Sequence, residues 1–225
     1  MTAPKIKGSF FRFTYGGFMI KDLLKEIKCI PVCVFEDTDS ALKVAELLLK
    51  YNVNVMEVTL RTEKAFACIK AINTEFQNSL VGAGSVLNIA DFEKSADFGA
   101  VFAVSPCFDE SLCEEAKRLT MTYIPGVATP SEIYKALKYS DLVKIFPAAL
   151  LGGSEYIKAV TAPFKMLNFS LITTGGIDNM NYKEYLAVEK VAACGLTYPV
   201  SEKLIKEKNF DEIENRIKEI YGAPS

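Results

Sequence analysis

None of the 225 residues is histidine, and that absence narrows the chemistry open to this chain. It removes the usual general base, the commonest metal ligand and every Ser-His or Cys-His nucleophile pair. Catalysis must then rest on Lys, Glu/Asp, Tyr, Arg or hydroxyl groups. Two short apolar runs carry such groups at alternating positions. In Leu142-Val143-Lys144-Ile145-Phe146-Pro147 the lysine shares a face with Leu142 and Phe146, because successive side chains of a strand point to opposite sides. In Val55-Met56-Glu57-Val58-Thr59-Leu60-Arg61 one face carries Met56, Val58 and Leu60, and the other Val55, Glu57, Thr59 and Arg61.

An ammonium hemmed by apolar groups is costly, so Lys144 must pair with a carboxylate or give up its proton. A free amine attacks carbonyl carbon to form a Schiff base, and Glu57 is the natural partner for the proton transfers. A buried Lys–Glu pair that only ties two strands together carries the same signature. Arg61 has the chemistry to hold a carboxylate through two parallel hydrogen bonds, or it opens the next helix as a solvated residue. Gly82-Ala83-Gly84-Ser85 offers close backbone approach and a hydroxyl; a tight turn explains its glycines equally well. Thr173-Thr174-Gly175-Gly176 and Gly195-Leu196-Thr197 each follow a strand candidate, where barrel loops bind phosphate through backbone amides.

These residues sit in a regular alternation. Strands are predicted at Ile30–Phe35, Val55–Leu60, Leu80–Ala83, Val101–Val104, Thr122–Pro125, Leu142–Phe146, Ser170–Thr173 and Val191–Cys194. They are nearly continuously apolar, as parallel strands buried on both faces should be. Between them Ala41, Val44, Ala45 and Leu48, and again Leu112, Cys113, Ala116 and Leu119, make helical stripes. Thr129-Pro130-Ser131-Glu132 is a capping box with proline at the first helical position. Asn209 to Glu212 repeats that logic before a stripe of Phe210, Ile213, Ile217 and Ile220. Eight strand–helix units with short connections predict an α/β fold, a (β/α)₈ TIM barrel. A doubly wound open sheet is the main rival. The aromatic segment over residues 1–19, with Phe10, Phe11, Phe13, Tyr15 and Phe18, reads as a short N-terminal arm, packed or partly disordered; residues 20–225 read as one domain.

Half of the residues are apolar, 24% are charged and the formal net charge is −2, the make-up of a packed globular protein. No basic run points to nucleic acid or an anionic membrane as a partner. No apolar stretch approaches the roughly 18–20 residues that span a bilayer, and the amino terminus has no signal-peptide pattern. None of the six cysteines is spaced as C-x-x-C, which suits a reducing compartment such as the cytoplasm. The expected partner is a small molecule; no cofactor and no metal are expected.

Six motifs occur in order: Met56 to Thr62, Val81 to Leu87, Val104-Ser105-Pro106, Ile124 to Val127, Lys144 to Ala148 and Thr174 to Ile177. Together they resemble the 2-keto-3-deoxy-6-phosphogluconate / 4-hydroxy-2-oxoglutarate (KDPG/KHG) aldolases from about Ile30 to Val200. The resemblance implies a homotrimeric barrel that performs metal-free, class I aldol cleavage and releases pyruvate. Carried over, Lys144 forms the Schiff base and Glu57 is the acid/base. Arg61, Ser85 and Pro106 line the carboxylate pocket, Phe146 packs beside the lysine, and Thr174 contacts the aldehyde-derived hydroxyl. Gly175, Gly176, Gly195 and Thr197 form the phosphate end. Ser85 stands where the family has threonine, and Cys107 where glycine, asparagine or histidine is familiar. Leu196-Thr197 replaces Gly-Ser. A leucine in that loop is expected to restrict the backbone and block close approach of a phosphate, leaving unphosphorylated 4-hydroxy-2-oxo acids open. Two other readings remain: a phosphate-binding barrel isomerase or epimerase without covalent attachment, and a catalytically silent barrel that binds a keto acid or sugar phosphate.

Overall fold

The computed structural model describes residues 14–15, 18–19, 22–24 and 27–222. Most of the aromatic arm therefore lies outside the described residues. Of it, β1 (Thr14–Tyr15) and β2 (Phe18–Met19) pair antiparallel.

All other strands run parallel in one sheet. They are β3 (Cys29–Cys33), β4 (Val55–Thr59), β5 (Leu80–Gly84), β6 (Phe102–Val104), β7 (Thr122–Ile124), β8 (Gly126–Val127), β9 (Leu142–Ile145), β10 (Ser170–Thr174) and β11 (Val191–Leu196). Their spatial order is β7-β6-β5-β4-β3-β11-β10-β9-β8. The two ends of that order are one chain segment, interrupted only by Pro125, which has no amide to donate to a ladder. Below the interruption β7 pairs with β6, and above it β8 pairs with β9. The Pro125 carbonyl still accepts from the Lys144 amide at 2.8 Å. The sheet thus closes on itself into an eight-stranded barrel, and the open-sheet alternative is excluded.

The helices α1 (Thr38–Lys50), α2 (Ala65–Glu75), α3 (Ile89–Asp97), α4 (Glu110–Leu119), α5 (Pro130–Ala136), α6 (Gly153–Thr161), α7 (Tyr182–Leu186), α8 (Glu202–Lys206) and α9 (Phe210–Tyr221) surround it. Their starts follow local chemistry. Asp37 caps α1 by accepting from the Ser40 amide at 2.7 Å, a contact type that stabilises by about 1 kcal/mol. The capping box at Thr129 and Glu132 is formed, with Pro130 at the first turn of α5. Asn209 caps α9 through the Glu212 amide.

Strand parity divides the core into an inside and an outside. The inward residues Ile30, Val55, Leu80, Phe102, Val104, Ile124, Leu142, Ile172 and Ala193, joined by Leu24, form one apolar cluster in the lumen. The outward residues, among them Met56, Val58, Val143, Ile145 and Cys194, pack beneath the helices. The lumen is filled at the amino-terminal end of the strands, as barrel interiors are. Toward the carboxyl end the inward positions become Glu57, Thr59, Lys144 and Thr174. That is where the barrel opens.

Candidate active site

Lys144 and Glu57 come from β9 and β4, which stand four strands apart whichever way the closed sheet is counted. Diametrically opposed, they are long enough to meet across the lumen. Lys144 Nζ lies 3.8 Å from Glu57 Oε1, with both side chains 6% exposed. The separation exceeds an ordinary hydrogen bond, so the two charges face each other with no direct proton bridge. Lys144 Nζ also stands 5.3 Å from the centroid of the Phe146 ring, within reach of the ring's negative face. Leu142, one turn of the pleat below on the same face, belongs to the apolar floor. The surroundings anticipated for this lysine are those it has.

The space in which they meet exists because neighbouring inward positions lack side chains. A Cβ on Gly82 would fall 2.1 Å from the Phe102 ring, and one on Gly84 would fall 2.1 Å from Glu57 Oε1. A Cβ on Gly126 would strike the Pro106 backbone at 2.3 Å, and one on Gly195 would meet Thr174 Oγ1 at 2.6 Å. The missing side chains leave that room to Phe102, Glu57, Pro106 and Thr174, of which Glu57, Pro106 and Thr174 line a cavity of about 490 Å³.

Every site residue expected from the sequence lines that cavity: Lys144, Glu57, Arg61, Ser85, Pro106, Phe146, Thr174, Gly175, Gly176, Gly195 and Thr197. Arg61 is exposed at the mouth and makes no ion pair among the described residues. Glu57, Arg61 and Lys144 are the cavity's charged lining groups among the described residues, a net positive charge suited to an anionic ligand. Ser85 has a left-handed backbone (φ 61°), a conformation that costs a non-glycine residue roughly 1–2 kcal/mol. The turn puts it at the rim directly above β5. Gly175 and Gly176, at φ 100° and 74°, occupy geometry that glycine adopts without that cost. Their carbonyls are tied to the Ala149 amide and the Asn181 side chain. The Thr174 hydroxyl is buried and has no hydrogen-bond partner among the described residues. A buried hydroxyl left so is expensive, and a ligand oxygen in the cavity would satisfy it.

The sequence reading missed the apolar part of the lining, Val32, Val34, Ala149, Leu150 and Ile177. Val32 carried the needed signal, because it alternates with Ile30 on the inward face. Leu150 and Ile177 follow strands, where periodicity gives no direction. Thr59 was placed on the inner face without a role; its hydroxyl donates to the Cys33 carbonyl at 3.2 Å and ties β4 to β3.

One expectation is overturned. Leu196 does not obstruct the cavity. It is the last residue of β11, which runs two residues past the predicted end at Cys194. Parity therefore turns Gly195 and Thr197 inward and Leu196 outward. Its side chain is fully buried in the outer core, and it is absent from the residues with positive φ. Cys107 is exposed; its amide donates to Ser105 Oγ at 3.3 Å, and Pro106 rather than the thiol faces the cavity.

Known proteins resemble this chain in sequence and fold. The family model described as "KDPG and KHG aldolase" matches residues 20–216. The KHG/KDPG aldolase of Escherichia coli K12 is 36% identical over 196 residues, 86% of this chain and 91% of its own. The 2-dehydro-3-deoxy-phosphogluconate aldolase of Haemophilus influenzae is 33% identical over 208 residues, 92% of this chain and 97% of its own. Among solved structures, the KDPG aldolase of Legionella pneumophila, with pyruvate captured as a covalent carbinolamine intermediate, superposes with a TM-score of 0.81 at 34% identity, covering 88% of this chain and 94% of its own. The 2-keto-3-deoxy-6-phosphogluconate aldolase of Zymomonas mobilis with 3-phosphoglycerate gives a TM-score of 0.81 at 30% identity, covering 89% and 94%. Motifs, closed barrel and relatives agree, and the chain belongs to the KDPG and KHG aldolase family.

Proposed function

We propose that this protein is a class I aldolase that cleaves 2-keto-3-deoxy-6-phosphogluconate, or 4-hydroxy-2-oxoglutarate, to pyruvate and an aldehyde through a Schiff base on Lys144. The observation that carries the reading is the lysine–glutamate pair, 3.8 Å apart and buried at the floor of a cavity whose other charged lining group among the described residues is Arg61. The reaction is carbon–carbon cleavage, and the covalent pyruvate carbinolamine of the Legionella relative supports lysine attack over proton shuttling without attachment.

In the forward direction Lys144 passes a proton to Glu57, and its free amine adds to the C2 carbonyl of the substrate. Glu57 moves a proton onto the resulting carbinolamine hydroxyl, which leaves as water and gives the iminium. The gap between the two groups accommodates that hydroxyl oxygen. Glu57, now a carboxylate, takes the proton of the C4 hydroxyl. The C4–O electrons form the aldehyde carbonyl as the C3–C4 bond breaks, and its pair flows into the C2=C3 bond while the iminium pair returns to nitrogen. Glu57 then returns its proton to C3, and water releases pyruvate from the lysine.

Arg61, Ser85 and Pro106 receive the substrate carboxylate at one side of the pair, with Arg61 supplying charge that no carboxylate among the described residues claims. Thr174 receives the C4 oxygen through its unpartnered hydroxyl. Gly175, Gly176, Gly195 and Thr197 face the far end of the substrate. With Leu196 directed away, that end is free to accept a phosphate through backbone amides, as the Zymomonas relative's 3-phosphoglycerate complex suggests. Phosphorylated substrate is the favoured class. We further assign the protein to the cytoplasm, on its cysteine spacing, and as a homotrimer, on the family resemblance. Light scattering should then give three times the 24.9 kDa chain mass.

The test is pyruvate release from each substrate, read by coupled NADH oxidation with lactate dehydrogenase. Release from the phosphorylated compound at higher kcat/KM is expected. No pyruvate from either compound at saturation would refute the assignment.

A further inference from the structure

We propose that Gly84 is a positioning residue for Glu57: the missing side chain on β5 leaves the carboxyl group the one place from which it reaches Lys144. This rests on the proton-shuttle reading of Glu57 above. Glu57 pairs in register with Gly82, and Thr59 with Gly84. The Glu57 side chain does not stand over its own register partner. It leans toward the mouth and lies across Gly84, where a Cβ would fall 2.1 Å from Oε1 and 2.7 Å from both Cδ and Cγ. Oε1 is also the oxygen facing Lys144 Nζ at 3.8 Å. One atom therefore carries both the contact with Gly84 and the approach to the lysine.

The backbone at Gly84 cannot retreat to make room. Its carbonyl accepts from the Leu60 amide at 2.8 Å, and β5 is buried between β4 and β6. Nor does the position demand glycine for conformational reasons, since its φ lies outside the left-handed region. An alanine there fits the backbone, and the three atoms its Cβ would meet first all belong to Glu57. The three distances all fall below 3.0 Å and involve three consecutive atoms, so the carboxyl must swing away as a whole. A displacement of about 1 Å in a reacting group costs on the order of 100-fold in rate.

The reaction to follow is exchange of the pyruvate methyl protons for deuterium. In the iminium on Lys144, the Glu57 carboxylate takes a C3 proton; the C–H pair forms C2=C3 and the iminium pair moves to nitrogen, giving the neutral enamine. Return of a deuteron from Glu57, after its proton has exchanged with heavy water, completes the cycle. Exchange is read by proton NMR, and the iminium population separately by borohydride trapping and mass spectrometry at saturating pyruvate. A Gly84→Ala protein is expected to trap as much pyruvate on Lys144 as wild type while exchanging about 100-fold more slowly. In a Glu57→Ala background, adding Gly84→Ala should change the exchange rate less than about twofold, because the side chain it would displace is gone.

Exchange within about threefold of wild type in folded Gly84→Ala would overturn the proposal. So would an effect of Gly84→Ala that persists undiminished without Glu57. If Gly84→Ala does not fold, recovery of folding in the Glu57→Ala/Gly84→Ala double variant supports the coupling, and a double variant that stays unfolded refutes it. Wild-type protein that traps no pyruvate would instead sink the underlying Schiff-base reading, and this inference with it.

Discussion

Truncating Leu196 to alanine should unfold the protein more easily and leave its substrate preference untouched. The side chain is fully buried against the outer helices. Removing a buried leucine side chain costs about 2–5 kcal/mol, from lost transfer free energy and the cavity left behind. In a domain of this size each kcal/mol lowers Tm by about 2–4 °C, so a loss near 3 kcal/mol lowers it by roughly 6–12 °C. Melting is followed by circular dichroism, and kcat/KM is compared for phosphorylated and unphosphorylated substrate by the coupled assay. The ratio of the two constants should stay within about twofold, because no atom of Leu196 lines the cavity. Thr197→Val, altering a residue that does line it, should shift that ratio toward the unphosphorylated compound. An unchanged Tm for Leu196→Ala together with a shifted ratio would refute the inward–outward assignment along β11.

Glu57→Gln should lower kcat by about 10²- to 10⁴-fold while still allowing imine to accumulate; full activity would remove Glu57 from the proton path. The Asp37 carboxyl is held below its ordinary value of 3.8, chiefly by the Ser40 amide it accepts from. Its capping contribution is therefore complete above that value and fades as the pH falls through the lower folded-state value. Asp37→Ala should lower Tm by about 2–4 °C at pH 7, with the gap closing under acid; a gap constant from neutrality to pH 3 would contradict the assignment. Of the six cysteines Cys107 alone is exposed, and burial pushes Cys29 up to about 12 and Cys68, Cys113 and Cys194 to about 11. Native protein should expose one fast-reacting thiol to a maleimide, lost in Cys107→Ser; a second fast thiol would count against this packing.

Strand parity made much of the site legible before any coordinates. Glu57 and Lys144 had to face inward because their strand neighbours Met56, Val58, Val143 and Ile145 are apolar and pack outward beneath helices. The closed barrel was the preferred reading, but alternation of strands and helices does not fix strand order and left an open sheet as a rival; the split ladder around Pro125 decides between them. That Lys144 and Glu57 stand on opposite walls follows from the same closure, since the second and sixth of eight strands face each other. The error at Leu196 came from ending a strand two residues early. A shift of that kind moves a side chain from a loop, where its direction is free, to a strand, where parity sets it. Gly82 and Gly84 were read either as close backbone approach or as a tight turn, because a sequence shows that a side chain is missing but not which neighbour fills the space.

The central claim is that Lys144 forms a Schiff base with pyruvate. Its most direct measurement is borohydride reduction of the protein with saturating pyruvate, followed by peptide mass spectrometry. A single reduced pyruvyl adduct on the peptide carrying Lys144, absent from Lys144→Ala, is the expected result. No adduct, or one on any other lysine with Lys144 unmodified, would contradict the claim.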